Sequence, residues 1–274
     1  MKQNQLTINR FRVAQEKQQL ESDVIAVEEP LQILLQQKNK SRAFSIVMRT
    51  PGNDPQLTFG LLFCEGVIHC ATDILSIDTS DFKGEMEANV ITVKLSSKVS
   101  LDLSNQKRSH PSYSGCGFCG KTSLKALELA PSRSMRVIKT SINNLLIKQL
   151  RAQLARQNLF SNTGGSHVAG LIYEVGNELE MNHSPFFEDV GRHNALDKLI
   201  GHELQTNDLT RSGILLLSGR IGFELVQKAI VAGFSTIVAL GAPSSLAIQA
   251  AKQFDITLIG FAKDNSYNLY SAAD

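Results

Sequence analysis

At 274 residues and 42% hydrophobic composition, the chain is long enough to bury a sizeable core, as one large domain or two modest ones. Its 28 basic and 26 acidic residues leave a formal net charge of +2, which excludes a bulk nucleic-acid binder. The first ten residues lack the apolar centre of a signal peptide and no apolar run reaches bilayer-spanning length, so the expected setting is cytoplasmic, with neither membrane nor nucleic acid as partner. Four cysteines in such a compartment serve metal or sulfur chemistry more readily than disulfide staples.

The first third reads as short strands around one helix. Residues 23–27 and 31–35 are β-type runs flanking the acidic turn Glu28-Glu29-Pro30, and 44–48 is a third, ended by Thr50-Pro51-Gly52. Asp54 with Pro55 predicts a helix start, Asp as N-cap and Pro at the first helical position; that helix turns Leu57, Leu61 and Leu62 inward and stops near Gly66. Residues 89–95 supply a further strand. A polar, proline-broken stretch over 104–112 then reads as a linker.

The linker leads into Ser114-Gly115-Cys116-Gly117-Phe118-Cys119-Gly120-Lys121. Glycines around a C-x-x-C pair allow the backbone to present both sulfurs, and Thr122 or Ser123 can cap a helix that follows. Lys107, Arg108, Lys121 and a helix N-terminus all favour thiolate over thiol. Three readings compete. A zinc knuckle needs a second pair, and Cys64 with Cys70, five residues apart, make a poor one. A thioredoxin-like redox pair should follow a strand, whereas this one follows a linker. A persulfide-carrying nucleophile fits the loop best. Zinc deaminase chemistry lacks its His-x-Glu signature upstream of Cys116.

Beyond the loop, Ser141 is expected to open an amphipathic helix with Leu145, Leu146, Leu150 and Leu154 on one face. A turn over 161–167 enters a strand at 168–173, and Gly176-Asn177 suggests a hairpin back through Leu179 and Met181. The end of the chain alternates strand 214–217, helix 223–232, strand 236–240, a helix to Phe254, and strand 257–261. Continuous apolar strands separated by helices predict a parallel sheet covered on both faces. Ligands bind such sheets at the strand carboxyl ends, where helix N-termini offer N–H groups and positive dipole. The turns at 218–220, 241–245 and 261–266 should therefore share one anion-binding rim.

Within that rim Ser218, Gly219 and above all Arg220 are candidate phosphate contacts, because guanidinium grips phosphate bidentately. The segment Glu188-Asp-Val-Gly-Arg-His-Asn194 offers Arg192 and His193; it reads equally as a site wall or as a capped helix start with solvated charges. His167, after Gly164-Gly165, is open in the same way.

These residues carry a resemblance. Met48-Arg-Thr-Pro-Gly-Asn-Asp54, Cys116-Gly-Phe-Cys119-Gly-Lys121, Asn162-Thr-Gly-Gly-Ser-His167, Glu188-Asp-Val-Gly-Arg-His-Asn-Ala-Leu-Asp-Lys198, Ser218-Gly-Arg220, Ala242-Pro-Ser-Ser-Leu246 and Gly260-Phe261 run in the order of the formate dehydrogenase accessory sulfurtransferase (FdhD/NarQ) family, which the chain resembles from about Glu29 to its end. The resemblance implies an α/β protein: a smaller N-terminal α+β domain over 1–103, the C-x-x-C loop and linker over 104–122, and a cytidine-deaminase-like domain without zinc over 123–274. It implies a homodimer that accepts persulfide sulfur from a cysteine desulfurase and passes it to the molybdenum bis-guanine-dinucleotide cofactor of formate dehydrogenase. Cys116 then corresponds to the persulfide cysteine, Cys119 to its neighbour in the relay, and Phe261, Ala262, Lys263, Asp264, Asn265 and Ser266 to the cofactor-contacting segment, with guanine nucleotides as mimics of the cofactor. Two other functions stay in view: a cofactor-binding chaperone without sulfur transfer, and a zinc-dependent nucleotide-processing enzyme.

Overall fold

The computed structural model describes residues 3–79, 89–100, 134–206 and 209–273. The expected linker and C-x-x-C loop, with Cys116 and Cys119, lie outside the described residues, as does the helix expected after Ser123.

The chain opens with β1 (Gln5–Ala14) and β2 (Lys17–Ala26), an antiparallel hairpin whose ten-residue strands stay mostly exposed. A four-stranded sheet follows, ordered β4-β3-β6-β5, from β3 (Glu29–Gln37), β4 (Lys40–Arg49), β5 (Ile74–Asp78) and β6 (Val90–Leu95). Its inner face carries Leu31, Ile33, Leu35, Ile91, Val93 and Leu95, spaced by two as a half-buried sheet requires.

Helix α1 (Asp54–Cys64) covers that face, but its N-cap is Asn53 in the left-handed region (φ 57°), not Asp54. The Asp54 carboxylate is engaged elsewhere: it takes two hydrogen bonds, of 2.8 and 2.9 Å, from the fully buried Arg49. A bidentate, charge-assisted pair outbids a neutral cap.

The second half is built on a seven-stranded sheet. It runs β13-β12-β11-β10-β7-β8, with β9 also pairing β7; the strands are β7 (His167–Val175), β8 (Glu178–Glu180), β9 (Phe186–Asp189), β10 (Gly213–Leu217), β11 (Thr236–Ala239), β12 (Thr257–Lys263) and β13 (Ser266–Ser271). Only β10, β11 and β12 are parallel; β7 and β13 flank them antiparallel, so the sheet is mixed, not all-parallel. One face packs on α2 (Asn144–Ala155) and the adjoining α3 (Asn158–Thr163). The other packs on α4 (Arg192–Thr206), α5 (Phe223–Ala232) and α6 (Ser245–Gln253). Helix α2 starts three residues later than expected from Ser141, because the Asn143 side chain accepts from the Leu146 N–H at 2.9 Å. Its buried face is Leu146, Ile147, Leu150 and Leu154, while Leu145 points outward, 67% exposed.

The two sheets share one core through α1 and α4. These helices cross backbone to backbone: a Cβ on Gly60 would strike the carbonyl of Asp197, and one on Gly201 that of Gln56. Gly201→Ala is therefore expected to cost about 1–3 kcal/mol as overpacking. Urea unfolding should show a lower midpoint at unchanged slope; an unchanged midpoint would mean that the crossing accommodates the added methyl.

Candidate functional site

The turns after β10, β11 and within β12 meet at one edge of the large sheet. The Gly241 N–H donates to Gly219 O at 3.2 Å, the Ile221 N–H to Ala242 O at 3.0 Å, and the Phe261 N–H to Gly241 O at 3.1 Å. Approach is so close that a Cβ on Gly241 would lie 2.6 Å from the Arg220 nitrogen and the Gly219 oxygen. Because β7 is antiparallel to β10, its first residues arrive at the same edge. The Ser218 Oγ accepts from the Val168 N–H at 2.9 Å, and the space a Gly219 Cβ would occupy is taken by His167, 2.9 Å away at Nδ1. Phe261 adopts a left-handed φ of 50° and is 42% exposed. That conformation is uncommon for an aromatic residue and suits a functional edge.

His167 sits inside a basic group. Burial, then the charges of Arg192 and His193, with Arg220 adding to them, push its imidazole below the ordinary histidine value, while Asp189 pulls the other way. His193 is 6% exposed and donates from Nε2 to Glu224 Oε2 at 2.9 Å. Three buried polar atoms around this edge have no hydrogen-bond partner among the described residues: Ser166 Oγ, Arg192 Nε and His193 Nδ1. Buried polar atoms without partners cost folding energy, so their concentration near His167 marks a place for an external hydrogen-bonding group. Such a set fits a phosphate or another oxyanion. Among the described residues no three His, Cys, Asp or Glu side chains are grouped to hold a metal.

The Glu188–Lys198 segment divides between the two roles its composition offered. Arg192 and His193 lie close enough to His167 to bear on its charge. Glu188 instead caps α3, accepting from Leu159 N–H at 3.2 Å and Phe160 N–H at 2.6 Å. Asp189, fully buried, accepts from Thr50 N–H (3.1 Å), Gly191 N–H (2.9 Å) and Asn194 Nδ2 (3.0 Å), and pairs with Lys198 Nζ at 2.7 Å. Lys198 also donates to Thr50 O and Glu188 O, at 3.0 and 3.2 Å. This network ties the Arg49–Thr50 end of β4 to the turn that carries Arg192 and His193.

The expected 261–266 turn is mostly strand, since β12 runs to Lys263 and β13 begins at Ser266. Ala262 is buried against the α2 side, so it can offer only its backbone outward. Asp264 pairs with Arg151 of α2 at 2.6 Å, while Lys263, Asn265 and Ser266 are exposed. Sequence reasoning missed Ser166 and Glu224. Ser166 lies within the Asn162–His167 stretch; Glu224, early in α5, carries no signal.

A family model described as the FdhD/NarQ family matches residues 26–274. The protein from Streptomyces coelicolor named "Sulfur carrier protein FdhD" is 39% identical over 262 residues, covering 92% of this chain and 88% of that protein. A protein of the same name from Sulfolobus acidocaldarius is 40% identical over 250 residues, covering 91% and 89%. The crystal structure of a protein from Desulfotalea psychrophila, described as a formate dehydrogenase accessory protein, superposes with a TM-score of 0.72 over 99% of both chains, at 23% identity.

Proposed function

This chain belongs to the FdhD/NarQ family, and on that footing we propose that it is a sulfur carrier acting on a guanine-dinucleotide molybdenum cofactor. The Cys116 thiolate attacks the outer sulfur of a cysteine persulfide on a desulfurase. The S–S bond breaks, the desulfurase cysteine leaves as thiolate, and Cys116 holds the persulfide. Delivery uses the second cysteine: the Cys119 thiolate attacks the inner sulfur, the outer sulfur leaves as hydrosulfide toward the metal, and the resulting disulfide is reset by a dithiol. No other oxidant or reductant enters.

Support for the cofactor end is the set of unpartnered buried polar atoms at the sheet edge, Ser166 Oγ, Arg192 Nε and His193 Nδ1. Phosphates of a nucleotide satisfy them. On this reading Ser218, Gly219, Arg220, Arg192, His193 and His167 form the phosphate cradle, and the 261–266 segment, led by the Phe261 ring, borders the base. The seven-stranded half takes the role of a cytidine-deaminase-like domain, and the protein works in the cytoplasm as a homodimer with a cysteine desulfurase and formate dehydrogenase as partners. A cofactor chaperone without sulfur transfer would use the same cradle.

Incubation with a cysteine desulfurase and cysteine, followed by intact-mass and peptide mapping, separates the two. One added sulfur on Cys116 is expected; none would leave the chaperone. At the cradle, Arg220→Ala is expected to weaken guanosine diphosphate binding by about 1.5–3 kcal/mol, as loss of a charge-assisted donor. Calorimetry showing equal affinity would remove Arg220 from the site.

A further inference from the structure

Glu224 lies in the first turn of α5 and reaches α4, where its Oε2 stands 2.9 Å from His193 Nε2. Both side chains are largely buried, at 13% and 7% exposure. A carboxylate only accepts, so the imidazole proton in this contact is on Nε2. That leaves Nδ1, the ring's other nitrogen, as the buried atom without a partner among the described residues. Glu224 on α5 and Asp197 on α4 bear on the His193 ring, and the cluster it shares with His167 on β7 also holds Arg192 on α4, Asp189 on β9 and Arg220 after β10. Asp197 is itself committed to Lys228 at 2.6 Å, and Asp189 to Lys198 at 2.7 Å. Glu224 is therefore the carboxylate that bears directly on His193.

A phosphate oxygen is an acceptor. If Nδ1 were a bare lone pair, it would meet that oxygen acceptor to acceptor and repel it; only a ring protonated on both nitrogens can bridge Glu224 and a bound phosphate. Arg192 and Arg220 are the cations gathered here, and Glu224 supplies the negative charge on the other side of the ring. We propose that Glu224 is a positioning residue of the cradle, which acts through His193 by fixing the ring at Nε2 and making Nδ1 a proton donor to the diphosphate of the bound nucleotide. This rests on the reading of the sheet edge as a phosphate cradle, and it adds a carboxylate where the ligand is an anion. Its sign is counterintuitive: removing a negative charge near an anion site should weaken the anion's binding.

The test is the pH profile of guanosine diphosphate affinity, by calorimetry, for wild type, Glu224→Gln, His193→Gln and the double variant. Glutamine keeps the shape and the hydrogen bond but not the charge. Near pH 5.5, where histidine carries its second proton without help, Glu224→Gln should bind about as tightly as wild type. Near pH 8 it should bind roughly tenfold more weakly, the scale of one charge-assisted hydrogen bond. In the His193→Gln background the Glu224 substitution should add nothing further. Equal affinity at both pH values overturns the proposal, as does a loss that is the same at both, which a purely structural role would give. Additive losses in the double variant overturn the route through His193. Absence of diphosphate binding by the wild-type protein removes the cradle and this proposal together. Sulfur loading of Cys116 does not enter the measurement, so the carrier reading is tested apart from it.

Discussion

Lys198→Ala is expected to destabilise the protein by about 3–5 kcal/mol, the cost of leaving one partner of a buried ion pair behind. Lys198 is 1% exposed and Asp189 fully buried, with 2.7 Å between their charged atoms. The ammonium uses all three of its protons, on Asp189, Thr50 O and Glu188 O. Truncation thus strands a carboxylate and two carbonyls at once. Three donors stay with the carboxylate, from Thr50, Gly191 and Asn194, which argues for the lower part of that range. Adding Asp189→Asn should recover part of the loss, because the stranded charge is then gone. Lys198→Ala should also weaken nucleotide binding, since Lys198 orients the Asp189 carboxylate that holds the Gly191 N–H and through it the turn carrying Arg192 and His193. Urea unfolding reads the first effect and calorimetry the second. A stability loss under about 1 kcal/mol, the range of exposed pairs, would show that water reaches this pair.

Legibility in the sequence followed the source of each element's stability. The β10–α5–β11–α6–β12 succession could be read because its strands are continuous apolar runs buried on both faces, with Gly and Ser at the breaks. Strand β13 could not: Ser266–Ser271 is an edge strand with most side chains exposed, and its pattern carries little hydrophobic signal. The β1 strand is hidden for the same reason, its ladder held by backbone pairing and surface ion pairs such as Arg10 with Asp23 at 2.6 Å. At the candidate site, the density of charge in 188–194 was visible, but not its division. Which of Asp189, Arg192, His193 and Asn194 face the edge and which face the interior depends on β4, and β4 is distant in the sequence. The His193–Glu224 contact is likewise tertiary, made by two helices whose sequences do not point to each other.

Cys116→Ala is expected to abolish sulfur loading and activation of the target dehydrogenase, with the unfolding midpoint and nucleotide affinity unchanged. Persulfide exchange needs a thiolate at the attacking position, and an alanine supplies no nucleophile at all. The other cysteines cannot stand in. Burial, reinforced by neighbouring Asp197 and Glu65, pushes the Cys64 thiol well above its ordinary value against the pull of Lys228, so it stays protonated. Cys70 is occupied in a helical turn, its Sγ 3.1 Å from Thr72 Oγ1 and part of the cap over Asp73. Serine at position 70 preserves that cap, and serine at 64 costs at most some packing, so both variants should load and deliver sulfur normally. Cys119→Ala separates the two steps: if Cys119 releases the sulfur, this variant should still accept it on Cys116 but hold it, with persulfide accumulating while delivery slows. Loading at the normal rate in Cys116→Ala would move the carrier role to another thiol. Normal delivery by Cys119→Ala would leave Cys116 as carrier and require the metal centre, or an external thiol, to draw the sulfur off.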